Sequence, residues 1–248
     1  MDRLIYSSLA AMRGAMARQA AIASNLANAN TTGFRGEMTN AQALWMSSGG
    51  AADTRATVTG EVTGTDMRPG AVTATGRDLD VALGGDALLA VQGAEGGESY
   101  TRRGDLQRND SGLLTTGDGQ IILGEGGPIT LPPADKVSIA EDGAIWIVPQ
   151  GGDPKNPQQV DRLKLVGPKG SEIRKGLDGL FQVAGGGTLP SDPDAKVTAR
   201  SLEGSNVSTS SALVDMIDAS RAWDGQVKML TTTQEMDRAA ADLMKISD

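Results

Sequence analysis

The chain has 248 residues, a formal net charge of −8, 33 glycines, 3% aromatic residues, and neither cysteine nor histidine. An acidic balance argues against a phosphate-backbone partner, and the missing Cys and His exclude thiol chemistry, disulfides, most zinc sites and every His-based triad. Abundant glycine with scarce aromatics favours turns and extended chain over a large helical core.

The first element is a helix predicted from about Arg3 to Asn28. Ile5, Leu9, Met12, Met16, Gln19, Ala23 and Leu26 recur at alternating spacings of four and three, the a/d seam of a helix that lies along another helix. Gly14 costs about 1 kcal/mol there relative to Ala and is tolerated where a neighbouring helix comes close. Arg13 and Arg18 interrupt what would be the apolar core of a secretory signal. No stretch reaches the apolar length of a membrane span, so neither a cleaved signal nor membrane insertion is expected.

Residues 37–75 read as a linker or extended segment, and Gly49 to Thr65 holds little apolar content. The middle, 76–200, reads as β. "DLDVAL" (Asp78–Leu83) alternates, with Leu79, Val81 and Leu83 on one face. "DSGLLTT", "DGQIIL", "DGAIWIV" and "DGLFQV" repeat a short theme in which a Gly supplies the positive φ of a tight hairpin before an apolar run. Their irregular spacing argues against a solenoid. The last element, 201–248, is again helical. Leu213, Met216, Ser220, Trp223, Val227, Leu230 and Gln234 continue a three-four seam, and acids precede bases at Asp218–Arg221, Asp224–Lys228 and Glu235–Arg238.

No residue set amounts to a catalytic constellation. Asp78 and Asp80 share a strand face and could serve acid–base work, but the wet face of a half-buried strand is the simpler reading. "DPD" (Asp192–Asp194) lacks the rest of a calcium loop, "GPKG" (Gly167–Gly170) lacks the P-loop ending, and Trp146 and Trp223 read as packing. No enzymatic activity, metal or cofactor is expected.

Three stretches carry a resemblance. "ASNLANANTTGFR" (Ala23–Arg35) resembles the N-terminal signature of the bacterial flagellar rod, hook and hook-filament-junction proteins. "LEGSNVSTSSALVDMIDASRAWDGQVK" (Leu202–Lys228) resembles their C-terminal signature, and "YTRRGDLQRNDSGLLTTGDG" (Tyr100–Gly119) their shared β domain. The start "MDRLIYSSLAAM", Ser24-Asn25 and Gln226 fit a proximal rod member better than the distal one. The resemblance implies an α+β fold in which long N- and C-terminal helices pair as a coiled coil around a β-rich middle domain. It divides the chain into 1–36, 37–75, 76–200 and 201–248.

The implied function is that of a structural subunit polymerising through its terminal helices into the axial tube of the basal-body rod. The implied partners are copies of itself, other rod proteins (proximal FlgB and FlgC, distal FlgG) and the flagellar type III export apparatus. The implied location is the periplasmic rod, reached without a cleaved signal peptide. Expected assembly residues are Ile5, Leu9, Met12, Met16, Asn25, Leu26, Asn28, Phe34, Leu213, Met216, Arg221, Trp223, Val227 and Leu230. The amides of Asn25, Asn28 and Asn30 can end the helix within one subunit or reach a neighbouring subunit, and Gly33 can cap or turn the chain. The rival reading is an autonomous glycan-binding or glycosidase β domain with helical ends.

Overall fold

The computed structural model describes the backbone of residues 2–47, 54–94, 96–176 and 178–245; side-chain surroundings are described from residue 9, except 39–63 and positions near the C-terminal end. Helix α1 spans Asp2–Ala27 and helix α2 spans Thr209–Lys245, with β structure between them. The class is α+β, as expected. The chain divides into two compact units. One holds Met1–Ala27, Glu37–Gly64 and Val207–Asp248; the other holds Asn28–Gly36 and Thr65–Asn206. Among the described residues no helix is long and apolar enough to cross a membrane.

In the first unit α1 and α2 touch. Ser208 starts α2 as its N-cap: its carbonyl accepts from the Ala212 N–H at 2.9 Å and its hydroxyl from the Ser211 N–H at 3.4 Å. The least exposed positions of α2 are Ala212, Ala219 and Thr233, with Met216, Trp223, Gln226 and Leu230 half-buried between them. Half of the seam read from sequence thus turns inward (Met216, Trp223, Leu230). The other half is displaced by one residue, so Leu213, Ser220, Val227 and Gln234 face solvent.

Helix α1 behaves similarly. Ala21 is buried and Ala10, Gly14, Ala17 and Ser24 are half-buried at four-three spacing, whereas Leu9, Met16, Gln19 and Ala23 are exposed. The physical reason is size. Small side chains let helix backbones approach closely, and a seam read from large apolar residues overlooks them. The acid–base pairs expected along α2 stay open: Asp218–Arg221, Asp224–Lys228 and Glu235–Arg238 form no ion pair among the described residues.

The stretch expected as linker is extended but paired. Glu37–Ser47 and Thr54–Thr65 form a two-stranded sheet. The second of these strands is rich in Thr and Val, whose branched side chains favour extended chain.

The β unit centres on a five-stranded antiparallel sheet in the order Leu165–Val166, Leu88–Gln92, Glu98–Thr101, Phe181–Val183, Ile173–Lys175. A three-stranded sheet (Ala134–Ile139, Ala144–Pro149, Gln158–Arg162) and short two-stranded ribbons adjoin it in the sequence. Val91, Leu106, Ile122 and Ile145 belong to the main core, and Tyr100, Phe181 and Leu189 to a second cluster. The Tyr100 hydroxyl accepts from the Leu189 N–H at 2.6 Å, and burial pushes its pKa up to about 12.

The Asp-Gly theme yields one recurring hairpin. Ala140 N–H donates to the Ala144 carbonyl (2.9 Å) and Gly143 N–H to the Ala140 carbonyl (3.0 Å). The same pair of bonds joins Asn109 with Leu113, Thr116 with Gln120, Gly176 with Leu180 and, unforeseen in the sequence, Gly93 with Gly97. The third and last residue of each loop is a Gly at φ 78–86°, the left-handed position that closes a three-residue hairpin loop.

One expectation for this unit fails. Leu79 and its neighbours do not continue an alternating strand; only Val81–Leu83 is extended, and all three residues are buried. The backbone folds back just before it, with the Asp80 N–H on the Arg77 carbonyl at 3.2 Å. Asp78 keeps a partly exposed ion pair with Arg200, but the Asp80 side chain is fully buried, bonded by the Thr75 hydroxyl at 2.7 Å and 3.6 Å from the Arg77 guanidinium. The two carboxylates therefore have different consequences. Asp80→Ala is expected to destabilise the protein by about 1–3 kcal/mol because it removes a buried carboxylate that accepts a charge-assisted hydrogen bond from Thr75, and Asp78→Ala by no more than about 0.5 kcal/mol. Denaturant midpoints of the two variants check this; equal shifts would refute it.

Candidate functional site

The opening signature ends in Gly33-Phe34-Arg35, followed by Gly36, and the closing signature begins Leu202-Glu203-Gly204-Ser205-Asn206. In the β unit these two segments lie against each other. Gly33 N–H donates to the Glu203 carbonyl at 2.8 Å, and Asn206 N–H to the Phe34 carbonyl at 3.3 Å. The Asn206 side chain uses its full amide: Oδ1 accepts from Gly36 N–H (2.8 Å), and Nδ2 donates to the carbonyls of Asp66 (2.8 Å) and Arg68 (3.0 Å). Asp66 N–H in turn donates to the Gly36 carbonyl at 2.8 Å. Three passages of chain, 31–36, 65–70 and 202–206, are thus joined by one asparagine.

Beneath them lies a buried ionic triad. Glu203 Oε1 accepts from Arg35 Nη2 at 2.6 Å and from the Gly70 N–H at 2.8 Å. Its Oε2 accepts from Arg102 Nε at 3.1 Å and from Arg102 Nη2. The remaining Arg102 donors reach the carbonyls of Leu83 (2.9 Å), Gly85 (2.7 Å) and Ala87 (2.7 Å), so all five guanidinium N–H groups are used. Side-chain exposure at the three charges is 0–1%. Burial pulls the Arg102 guanidinium below its usual pKa, and Glu203 opposes that shift. Pairing is complete for Arg102 and Glu203, whereas Arg35 is held by Nη2 alone, its buried Nε and Nη1 having no hydrogen-bond partner; charges this deep are costly wherever such pairing is missing.

Backbone geometry makes room for the triad. Gly33 sits at φ 67°, and a Cβ there would come within 2.4 Å of the Arg102 carbonyl oxygen. Gly33 lies well past the helix end at Ala27, so of the two roles open to it the turn is the one observed.

The predicted assembly residues fall into two groups. Asn25, Asn28 and Phe34 are used within the chain. Asn25 pairs with the backbone of Glu37, its Nδ2 donating to the carbonyl at 2.9 Å and its Oδ1 accepting from the N–H at 2.7 Å. Asn28 Oδ1 accepts from the Thr31 hydroxyl at 3.1 Å. Lys175 Nζ lies 3.6 Å from the Phe34 ring centroid and donates to the Arg35 carbonyl at 3.1 Å. The others lie on the helices. Leu9, Met16, Leu213, Arg221 and Val227 are exposed, while Met12, Leu26, Met216, Trp223 and Leu230 are half-buried. The Ile5 side chain lies outside the described residues.

Arg35, Arg102, Glu203 and Asn206 were absent from the sequence expectation, although each lies in one of the three quoted signatures. The available signal was a charge or amide within two residues of a glycine, in stretches otherwise lacking apolar pattern. Pairing across 101 to 170 residues leaves no periodic trace in the sequence.

The three signatures match three family descriptions, in chain order. Residues 5–35 match "Flagella basal body rod protein", residues 82–147 "Flagellar hook protein FlgE/F/G D1 domain" and residues 198–243 "Flagellar basal body rod FlgEFG protein C-terminal". The chain therefore has the parts of an axial protein of the bacterial flagellum. Over 100% of both chains it is 40% identical to the flagellar basal-body rod protein FlgF of Salmonella typhimurium, and equally to that of Escherichia coli K12. The flagellar basal-body rod protein FlgG of Bacillus subtilis is 28% identical over 95% of this chain and 97% of its own. The chain belongs to the flagellar basal-body rod protein family, whose members are structural proteins of the basal body and not enzymes. The rival glycan reading gains no support from these relatives.

Proposed function

We propose that this rod subunit polymerises through its terminal helices, paired as a coiled coil, into the axial tube that transmits motor torque and encloses the export channel. Its partners are copies of itself, the rod proteins FlgB, FlgC and FlgG, and the flagellar type III export apparatus. It reaches the periplasmic rod through that apparatus without a cleaved signal peptide. The observation that carries the reading is apolar surface on both helices: Leu9 is 44% exposed, Met16 57%, Leu213 48% and Ile217 53%. Single exposed apolar residues are ordinary, but a recurrent set along two helices marks a surface that association covers.

Because Leu9 and Leu213 are exposed in the single chain, Leu9→Asp and Leu213→Asp should change monomer stability by no more than about 0.5 kcal/mol. Each should nevertheless abolish rod assembly and motility by placing an unpaired charge in the helix layer. Intact basal bodies and normal swimming in either variant would defeat the reading.

A further inference from the structure

The exposed faces of the two helices match each other in pattern, size and charge. On α1, Leu9, Arg13, Met16, Ala20 and Ala23 are all exposed, at successive spacings of four, three, four and three. On α2, Leu213, Ile217, Ser220, Asp224 and Val227 are all exposed at the same spacings. Each row is a second seam, distinct from the row turned inward on the same helix. Each contains a single charge: Arg13 on α1 and Asp224 on α2. Neither has an ion-pair partner among the described residues.

Resting on the rod-subunit reading, we propose that α1 of one copy of this chain packs antiparallel against α2 of the next copy along these two outward seams, with Arg13 paired to Asp224. Antiparallel alignment sets Leu9 beside Val227, Arg13 beside Asp224 and Met16 beside Ser220. It then sets Ala20 beside Ile217 and Ala23 beside Leu213, so a small residue meets a large one at the far end, as side chains that fill holes require. Parallel alignment would place Arg13 on Ile217 and Asp224 on Ala20, burying two charges without partners. The charge pair thus selects both direction and register, the use for which a polar pair within an apolar seam is best attested. A contact between unlike helices of successive copies does not close on itself and can continue along a tube.

The chain lacks cysteine, which makes the test direct. Cells co-expressing Ala20→Cys and Ile217→Cys chains should yield, from oxidised basal bodies, a disulfide-linked dimer of the two chains, because facing seam positions meet the Cα separation a disulfide needs. An Ala21→Cys chain, altered on the inward row, should not link to Ile217→Cys. In separate strains, Arg13→Glu and Asp224→Arg should each reduce assembled rods about tenfold or more, and the double variant should restore them. Absence of the mixed dimer, or failure of the double variant to recover, overturns the proposed register. Normal rods in both single variants, alongside loss of rods in Leu213→Asp, would remove this pairing and leave assembly through the helices standing.

Discussion

Glu203→Gln is expected to destabilise the β unit by about 3–5 kcal/mol, the cost of leaving buried charges without their counter-ion. Both arginines would lose their counter-charge, and because one carboxylate oxygen becomes an NH2 donor, either Arg35 or Arg102 would lose its side-chain acceptor; Arg102 would keep its three carbonyl acceptors. The Gly70 N–H depends on the same carboxylate. Denaturant unfolding followed by Trp146 fluorescence measures the effect, with Glu172→Gln as the control. Glu172 pairs with Arg174 where both side chains are more than 70% exposed, so its loss should stay within about 0.5 kcal/mol. A Glu203 variant as stable as the control would show that the triad does not hold the unit together.

A fragment spanning 76–200 is expected not to fold cooperatively, whereas 28–206 is expected to do so. The shorter piece follows the domain limits read from sequence. It retains Arg102 but lacks Arg35, Glu203 and Asn206, leaving a buried guanidinium without its counter-ion. It also loses the strand partners Val72–Ala74 and Ser201–Glu203, which pair with each other. The longer piece holds every member of the triad and every passage joined by Asn206. Thermal unfolding by circular dichroism separates the outcomes: a sharp transition in 76–200, equal to that of 28–206, would mean that the signature segments are dispensable to the β unit.

The two long helices and the β middle were legible in the sequence because helix periodicity and Asp-Gly hairpins are local signals. Helix α1 was placed to within a residue at each end, and the glycines at 112, 119, 143 and 179 have the positive φ that hairpins predict. The inward face of each helix was harder to read. Ala, Gly and Ser at packed positions carry little hydrophobic signal, so the buried Ala212 and Ala219 went unread beside the half-buried Met216 and Trp223. Asp80 was misread because a turn at Arg77 breaks the alternation that seemed to run through it. The junction of Arg35, Arg102 and Glu203 was illegible for a different reason. Only the folded chain brings together residues 101 and 168 positions apart.

The recurring hairpin loop has a kinetic consequence. In each case the bonded residues are four apart, and a hairpin of this kind closes in about 1–10 μs once its own segment is free. The ionic triad obeys a different clock, because its carboxylate lies 168 residues after the first arginine and no local search can bring them together. A chain delivered from its N-terminal end can therefore hold finished hairpins while its first signature still waits for residue 203. Completion of the β unit then reports that the chain has arrived at least as far as residue 203.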